Sequence, residues 1–227
     1  MTCSDLTYFV RPGRYRCIVP PANDRRILHF TDVANVPKII AAGGIWPDNV
    51  MTNQSYAFRD CASADIKEAR RTKPVPMPPY GCVGDYVPFY YAPRSPMMSA
   101  ISKGGVPGYS DSRQLVYFAS TVGAVCAAGL GWVCTDGNAR TGLTRFFGTL
   151  EELESKIDWS IMEERYWANT ADDGDRKRRR MAEFLVHGFF PIGLVTGIAT
   201  HNQGIMDSIE GFLPPHIFTA VKPELYI

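Results

Sequence analysis

The sequence lacks the short signatures of the common cofactor-binding and hydrolytic enzymes. It contains no glycine-rich dinucleotide fingerprint, no Walker phosphate loop, no HExxH pair and no Ser/His/Asp signature. Its six cysteines lie far apart, without the paired spacing that structural zinc sites use. The sequence therefore indicates neither the common cofactor folds nor a metal site, and we interpret the cysteines as reduced thiols.

A strong excess of charge of either sign is also missing. The 24 Lys and Arg side chains are balanced by 23 Asp and Glu, which gives a formal net charge of +1. The protein as a whole is therefore not a polycation, and an affinity for nucleic acid has to come from local clusters. Arg176 to Arg180 (RKRRR) is such a cluster.

Long apolar runs are scarce as well. The first 16 residues carry arginines where a secretion signal needs an apolar core, so we expect a cytoplasmic protein. Gln114 to Thr135 is uncharged and long enough to span a membrane, but glycines and polar residues interrupt it. We predict instead a strand from Leu115 to Ala119, a short helix, and a second strand from Gly131 to Cys134.

The composition fits a single globular domain. No internal repeat, linker or low-complexity segment divides the 227 residues, so we predict one domain over residues 1–227, with residues 1–26 as an N-terminal arm. The first strand, Ile27 to Phe30, leads into a helix that ends near Ala42. Short strands with large loops in the rest of the chain indicate a mixed α/β domain.

Four further segments carry structural predictions. Ser63 to Arg71 has the composition of a short helix, and Trp46 to Arg59 is polar and loop-like. Leu150 to Trp167 is predicted to be mostly helical. Asp85 to Tyr91 is predicted to be extended, and its proline, Pro88, favours an edge strand or a bulge.

Glu183 is a lone acid at the start of an apolar strand, directly behind the basic run. Alternation along a strand places its side chain opposite to Phe184, so the carboxylate must face a cleft or a partner. Two interpretations stay open from the residues alone. The carboxylate forms a salt bridge with a neighbouring arginine, or it is a catalytic acid that nearby cations keep ionised.

Other candidates also have two interpretations. His29 is either a core histidine or, at a strand end before a helix, part of a phosphate-binding site. Arg70 is either a favourable charge at a helix C-terminus or a functional cation. Strand aromatics such as Tyr90 near Arg94, and Tyr166–Trp167 near the basic run, are either core residues or a surface for single-stranded nucleic acid.

Several motifs together resemble one protein family. They are LHFTDVANVPKIIAAGGI (28–45), IKEARRTKPVP (66–76), DYVPFYYAPRSPM (85–97), CTDGNA (134–139), TRFFGTLEELESKIDW (144–159), YWANT (166–170), RRRMAEFLV (178–186) and KPELYI (222–227). The family is that of the DarT toxins, bacterial enzymes that use NAD to ADP-ribosylate bases in single-stranded DNA. The resemblance extends from about Leu28 to the last residue.

This resemblance implies an ADP-ribosyltransferase fold, in which a split, twisted β-sheet with flanking helices and large loops binds NAD as co-substrate in the cleft between its halves. By the match to the family, His29 and Thr31 hold NAD, and Asn35 is a further NAD-binding candidate. Arg70 matches the catalytic arginine, which also contacts NAD, and Glu183 matches the catalytic glutamate. The expected acceptor is thymidine, although another branch of the family modifies guanosine.

The resemblance also implies partners. We expect single-stranded DNA to contact Tyr90, Arg94, Met97, Arg145, Tyr166, Trp167, Arg178 and Arg179. A macrodomain antitoxin that removes the modification is implied too, and a monomer is the default expectation. The competing hypotheses are a nucleic-acid binding module without catalysis, an enzyme with a guanosine, RNA or protein acceptor, and an NAD glycohydrolase.

Overall fold

A computed structural model describes residues 21–62, 64–109 and 111–227. Most of the predicted N-terminal arm, residues 1–20, lies outside the described residues. No helix within these ranges is long and apolar enough to cross a lipid bilayer.

Short strands and short helices alternate along the described chain. The strands are β1 Arg26–Asp32, β2 Gly44–Ile45, β3 Tyr86–Tyr90, β4 Leu115–Thr121, β5 Trp132–Thr135, β6 Phe146–Phe147, β7 Glu183–His187, β8 Phe190–Pro191, β9 Gly197–Thr200 and β10 Phe218–Val221. The α-helices are α1 Val36–Ala41, α2 Asp48–Asn53, α3 Ala64–Thr72, α4 Pro96–Ser102, α5 Val122–Ala127, α6 Leu150–Lys156, α7 Trp159–Glu163, α8 Arg176–Arg179 and α9 Gln203–Ile209. Short 3-10 helices occupy Ala22–Asp24, Val33–Asn35, Val83–Asp85, Ile192–Leu194, Glu210–Phe212 and Pro223–Leu225.

The main sheet is split in its middle. Its strand order is β10-β9-β4-β1-β3-β7-β5-β6, and β2 pairs separately with β8. All seven residues of β1 pair with β4, and all five of β3 pair with β7. The central strands β1 and β3, however, share one register position, Leu28 with Tyr90. This arrangement, with helices around the sheet, confirms the predicted fold class.

The prediction of an edge position or a bulge for Pro88 is wrong. β3 is an internal strand, and it pairs with β7 throughout, including Pro88 opposite Leu185. A proline is tolerated here because the sheet opens between β1 and β3, so little of the ladder on that side of β3 needs a backbone N–H. The Pro88 carbonyl instead contacts the side chain of His29 across the opening.

The core lies on both faces of the sheet. Six of the seven residues of β4 are buried, and so are the first four of β7. Strands covered on both faces form continuous apolar runs, which is why Leu115 to Ala119 was recognisable as a strand. Burying a side chain such as Phe118 or Phe184, both fully inaccessible, contributes about 1.5–3 kcal/mol.

Helix boundaries follow local capping, and some differ from prediction. Asp32 caps the turn after β1 by accepting a hydrogen bond from the Ala34 amide. Trp46 to Arg59 is not all loop, because it contains α2, which starts directly after Pro47. Leu150 to Trp167 forms two short helices, since Asp158 caps a new helix by accepting from the Ile161 amide.

Candidate active site

Glu183, the first residue of β7, forms a buried ion pair with Arg70 of α3. The two guanidinium nitrogens donate to the two carboxylate oxygens at 3.0 and 2.8 Å. Glu183 is completely inaccessible, and the Arg70 side chain is 15% exposed. Glu183 does form a salt bridge, but its partner is not an arginine of the neighbouring basic run. The partner, Arg70, lies 113 residues away in the sequence.

The loop after β5 fixes the position of the carboxylate. The Ala139 amide donates to Glu183 Oε1 at 3.1 Å, so this oxygen is shared between Ala139 and Arg70. The Glu183 backbone amide donates to the Thr135 hydroxyl at 3.1 Å, and that hydroxyl donates to the Gly137 carbonyl at 2.8 Å. Hydrogen bonds that involve a charged group are stronger than neutral ones, so these contacts hold the Glu183 side chain in one position.

Salt bridges orient the helix that carries Arg70. Asp48, at the start of α2, accepts from Arg71 Nε at 2.6 Å and pairs with Lys67 at 2.5 Å. Lys67 also pairs with Asp60 in the segment before α3. Because its neighbouring cations already have carboxylate partners, Arg70 is the α3 cation that reaches Glu183.

Lys73 is a further cation at this site that the sequence analysis did not identify. Its ammonium donates to the Thr141 carbonyl in the loop that contacts Glu183. Burial lowers the pKa of Lys73, Glu183 raises it and Arg70 lowers it, which shows that the three charges are close. Burial also acts to lower the pKa of Arg70, but Glu183 outweighs it and the net shift is upward. Arg70 therefore stays a cation.

His29 and Thr31 project from the same face of β1, beside the opening in the sheet. His29 Nδ1 lies 2.9 Å from the Pro88 carbonyl, which can only accept a hydrogen bond. Burial lowers the pKa of His29, against a smaller raising effect of this carbonyl. The ring is accordingly neutral near pH 7, with the proton on Nδ1 and an acceptor lone pair on Nε2.

Asn35 joins this strand to the segment before α3. Its amide nitrogen donates to the Thr31 hydroxyl at 2.9 Å and to the Arg59 carbonyl at 2.8 Å, and its oxygen accepts from the Arg59 amide. The Arg59 side chain lies 3.3 Å from the buried carboxylate of Asp32 and donates to the Gly108 carbonyl. The chain from Tyr56 to Ala62 is thereby held against β1.

The basic run does not form an open cationic track. Arg178 binds Asp175 and Asp136, and Arg179 uses all three donor nitrogens on Asp158 and Asp173. Arg180, the last residue of the basic run, is buried and donates to backbone carbonyls, and burial lowers its pKa to about 10. The structure gives no support to DNA contacts by Arg179 and Arg180.

Most of the other predicted DNA contacts come together beyond the end of β3. Tyr90, paired with Glu183 across the strands, places its hydroxyl 3.5 Å from Met97 Sδ. The Trp167 indole donates to the Arg94 carbonyl at 2.7 Å. Next to them is a pocket with a volume of about 380 Å³, lined by Arg94, Ser99, Lys103, Arg165, Tyr166, Trp167, Ala168, Tyr226 and Ile227. Tyr166 is 77% exposed, so a stacking surface is open to solvent there.

Arg145 lies on the other side of Glu183, in the loop after β5. Its side chain is 80% exposed and lies 3.8 Å from Asp136, which Arg178 also contacts. The predicted contacts therefore flank the Arg70–Glu183 pair from two directions.

Comparisons with known proteins point to one family. The model of the family described as "ssDNA thymidine ADP-ribosyltransferase, DarT" matches residues 28–227. A DNA ADP-ribosyl transferase of Mycobacterium tuberculosis (strain ATCC 25618 / H37Rv) is 36% identical over 197 residues, 85% of this chain and 84% of that protein. The structure of Thermus sp. 2.9 DarT in complex with ADP-ribosylated ssDNA superposes with a TM-score of 0.81 at 32% identity, over 90% of this chain and 97% of that one.

A second structure of the Thermus sp. 2.9 protein, in complex with NAD+, superposes with a TM-score of 0.75 at 29% identity, over 90% of this chain and 98% of that one. The family model, the relatives and these structures together show an NAD-dependent DNA ADP-ribosyltransferase. The match over nearly the whole chain fixes the family: this protein belongs to the DarT family of ssDNA thymidine ADP-ribosyltransferases.

Proposed function

We propose that the Arg70–Glu183 pair is the centre at which this protein transfers ADP-ribose from NAD to thymidine in single-stranded DNA. The observation that carries the proposal is the buried bidentate pair beside the one register position that the central strands β1 and β3 share. NAD supplies the ADP-ribosyl group and nicotinamide as its leaving group. The bond between the ribose carbon and nicotinamide breaks, a bond from that carbon to the thymine imide nitrogen forms, and the imide proton leaves.

Glu183 is the group that stabilises the positive charge developing at the ribose carbon. A fixed carboxylate in a site that excludes water acts strongly on such charge, because the low local polarity screens it little. The Ala139 amide and the Thr135 hydroxyl hold Glu183 before substrates arrive, so no reorganisation is needed during the reaction. Glu183, directly or through water, also receives the imide proton.

Arg70 binds anionic groups and does not act as a base. Its guanidinium is protonated at neutral pH, and the pairing with Glu183 reinforces this state. We propose that Arg70, together with Lys73, contacts the pyrophosphate of NAD and stabilises the negative charge on thymine as its proton leaves. On this proposal the guanidinium exchanges part of its bonding from Glu183 to the substrates when they bind.

The residues along β1 fit NAD. The neutral ring of His29 presents an acceptor nitrogen, and Thr31 and Asn35 form a preset polar pair with their hydrogen bond already made. We propose that His29 and Thr31 receive the nicotinamide end of NAD, and that Asn35 acts by holding the 56–62 segment over it. The geometry is set by backbone contacts, so the site is largely formed in advance.

The acceptor strand lies across Glu183, between the two flanking groups of predicted contacts. Tyr166 and Trp167 supply aromatic surfaces for bases, and Arg94, Arg145 and Arg178 supply positive charge for phosphates. Because bases of single-stranded DNA are already unpaired, the thymine edge reaches a buried carboxylate without the cost of opening a duplex. Cytoplasmic action against the cell's own DNA is part of this proposal, with a macrodomain antitoxin as the partner that reverses it.

Mass spectrometry of a defined oligonucleotide tests the function. The substrate is single-stranded DNA with one thymidine, incubated with the protein and NAD. We expect a mass gain of one ADP-ribose, and no gain on a matched oligonucleotide that carries N3-methylthymidine, since its imide nitrogen is blocked. Modification of guanosine, release of free ADP-ribose, or DNA binding without NAD consumption would each replace this proposal by one of the competing hypotheses.

A further inference from the structure

The loop after β5 ends in an apolar side chain exposed to solvent. Residues 140–143 form its tip, all four of them exposed, and Leu143 is 82% accessible. Among the large hydrophobic side chains of the described residues, Leu143 is the most exposed. A lone exposed leucine is ordinary on a mobile surface, but this one is part of a well-bonded loop beside a catalytic centre.

Hydrogen bonds make the tip rigid. The Asn138 carbonyl accepts from the Thr141 amide and from the Thr144 hydroxyl, and the two threonine hydroxyls lie 2.6 Å apart. The Lys73 ammonium donates to the Thr141 carbonyl from outside the loop. Leu143 is therefore held in place without packing against the core.

The loop is coupled to the active site by its other end. The Ala139 amide donates directly to the carboxylate of Glu183. Leu143 follows four residues later, so its Cα lies within roughly 14 Å of the Ala139 Cα, even for a fully extended chain. This is a distance of about two or three nucleotides of extended single-stranded DNA.

The charge around the tip suits a polyanion. Arg140 and Arg145 flank the leucine and are both exposed, and Lys73 lies beneath. Residues 137–148 contain no Asp or Glu, and Asp136, which lies 3.8 Å from Arg145, is also paired with Arg178. An apolar side chain between cations is the arrangement by which proteins separate stacked bases, the cations taking the phosphates. A protein partner would be better matched by a broader apolar patch with both signs of charge at its rim.

We propose that residues 140–143 form a base-separating wedge, in which Leu143 packs against the base next to the target thymine and keeps it unstacked. Arg140 and Arg145 contact the phosphates on either side. This inference rests on the proposed function and adds to it a residue that positions the acceptor. Separation of the neighbouring base exposes the imide edge of thymine to the carboxylate that the same loop holds.

The test uses Leu143→Ser and a fluorescent oligonucleotide. Two DNA substrates carry 2-aminopurine directly 5′ or 3′ of the single thymidine, and its fluorescence rises when it leaves a stack. We expect wild-type protein to raise the signal from one of them, and Leu143→Ser to abolish the rise and to increase KM for DNA about tenfold. Leu143→Met should keep both properties, because it retains an apolar side chain of similar size.

Phe212→Ser is the matched control. Phe212 is 52% exposed on the 3-10 helix after α9 and is not among the site residues, so KM for DNA and the fluorescence rise should not change. If Leu143→Ser, like Phe212→Ser, leaves KM for DNA and the fluorescence rise unchanged, the wedge proposal is wrong. Residues 140–143 would then be better explained as a contact for a protein partner. If wild-type protein itself fails to modify the thymidine substrate, the proposed function has failed instead, which separates the two results.

Discussion

Arg70 and Arg179 make similar contacts in very different surroundings. Each guanidinium donates hydrogen bonds from two nitrogens to one carboxylate. The distances are 3.0 and 2.8 Å from Arg70 to Glu183, and 3.0 and 2.6 Å from Arg179 to Asp173. The carboxylate of Glu183 is fully buried, whereas the side chain of Asp173 is 36% exposed. Arg179 also binds Asp158 with its third donor nitrogen.

On the proposed function, Arg70 belongs to the reacting site, whereas Arg179 stabilises the structure around it. The Arg70 pair joins two distant parts of the chain, and on the proposed function a substrate competes there for the guanidinium. Arg179 ties together α8, α7 and the acidic loop that precedes β7, and Arg176 donates to the carbonyls of Tyr166 and Ala168. The run of basic residues thus fixes the loop that leads to Glu183, which explains why the two lie side by side in the sequence.

Among the arginine variants, Arg70→Lys should cause the largest change. A lysine keeps the charge but cannot bridge both oxygens of Glu183, so we expect the transfer rate to fall about a hundredfold with the fold intact. The measurement is single-turnover labelling of the thymidine oligonucleotide. Arg71→Lys, one residue further on and paired with Asp48, is the control and should stay close to wild type. Equal losses of transfer rate in Arg70→Lys and Arg71→Lys would contradict the special role given to Arg70.

Asn35→Ala should have a smaller effect, confined to the NAD side of the site. The substitution removes the hydrogen bonds between the Asn35 side chain and residues 56–62. The Arg59 backbone amide loses its acceptor, which costs about 1–3 kcal/mol of stability. We expect KM for NAD to rise about tenfold with little change in KM for DNA. Asn202→Ala removes the side-chain cap of α9 and should lower stability without changing either KM.

The pH dependence of stability should reveal the partly buried, neutral His29. Its pKa in the folded protein lies below the ordinary value of 6.5, so the unfolded chain takes up a proton first as the pH falls. The free energy of unfolding should therefore decrease below pH 6.5, down to the folded-state pKa, and be independent of this residue above pH 6.5. Urea unfolding of the wild-type protein and of His29→Gln at pH 7.5 and 5.5 measures this change in the free energy of unfolding. An identical pH dependence in both would contradict the assignment.

The smallest effect on catalysis should come from Arg179→Lys. Because the Arg179 contacts with Asp158 and Asp173 lie near the surface and touch no substrate on our account, the transfer rate should stay within about twofold of wild type. Arg178→Gln, on the preceding residue, is the comparison: it removes a positive charge beside Arg145 and should weaken DNA binding in low salt. A large loss of DNA affinity in Arg179→Lys would restore it to the DNA surface.

Local patterns predicted much of the fold. The strand, helix and strand within 115–134 and helix α3 were recognisable, because continuous apolar runs and helical composition are properties of neighbouring residues. The position of Pro88 was not, since it depends on where the sheet opens, and that is set by β1 and β3, more than fifty residues apart. Helix α2 was missed because its sequence, DNVMTN, has no apolar face long enough to detect.

The candidate site was predicted only in part for a similar reason. Family motifs pointed to Glu183 and Arg70, yet nothing near either residue shows that they pair with each other. Lys73 was overlooked because its neighbours are prolines and its significance lies in the contact with Thr141, 68 residues away. The basic run looked like a DNA track, since its carboxylate partners in the acidic loop could not be assigned from composition.

The central claim is that Glu183 stabilises the reacting ribose, and Glu183→Gln tests it most directly. Glutamine keeps the volume and an acceptor for the Ala139 amide, but it removes the charge. The measurement is single-turnover ADP-ribosylation of the thymidine oligonucleotide, with circular dichroism as a check on folding. We predict a folded protein that still binds DNA and transfers ADP-ribose at least about a hundredfold more slowly. A folded Glu183→Gln protein with a rate near that of wild type would contradict the account.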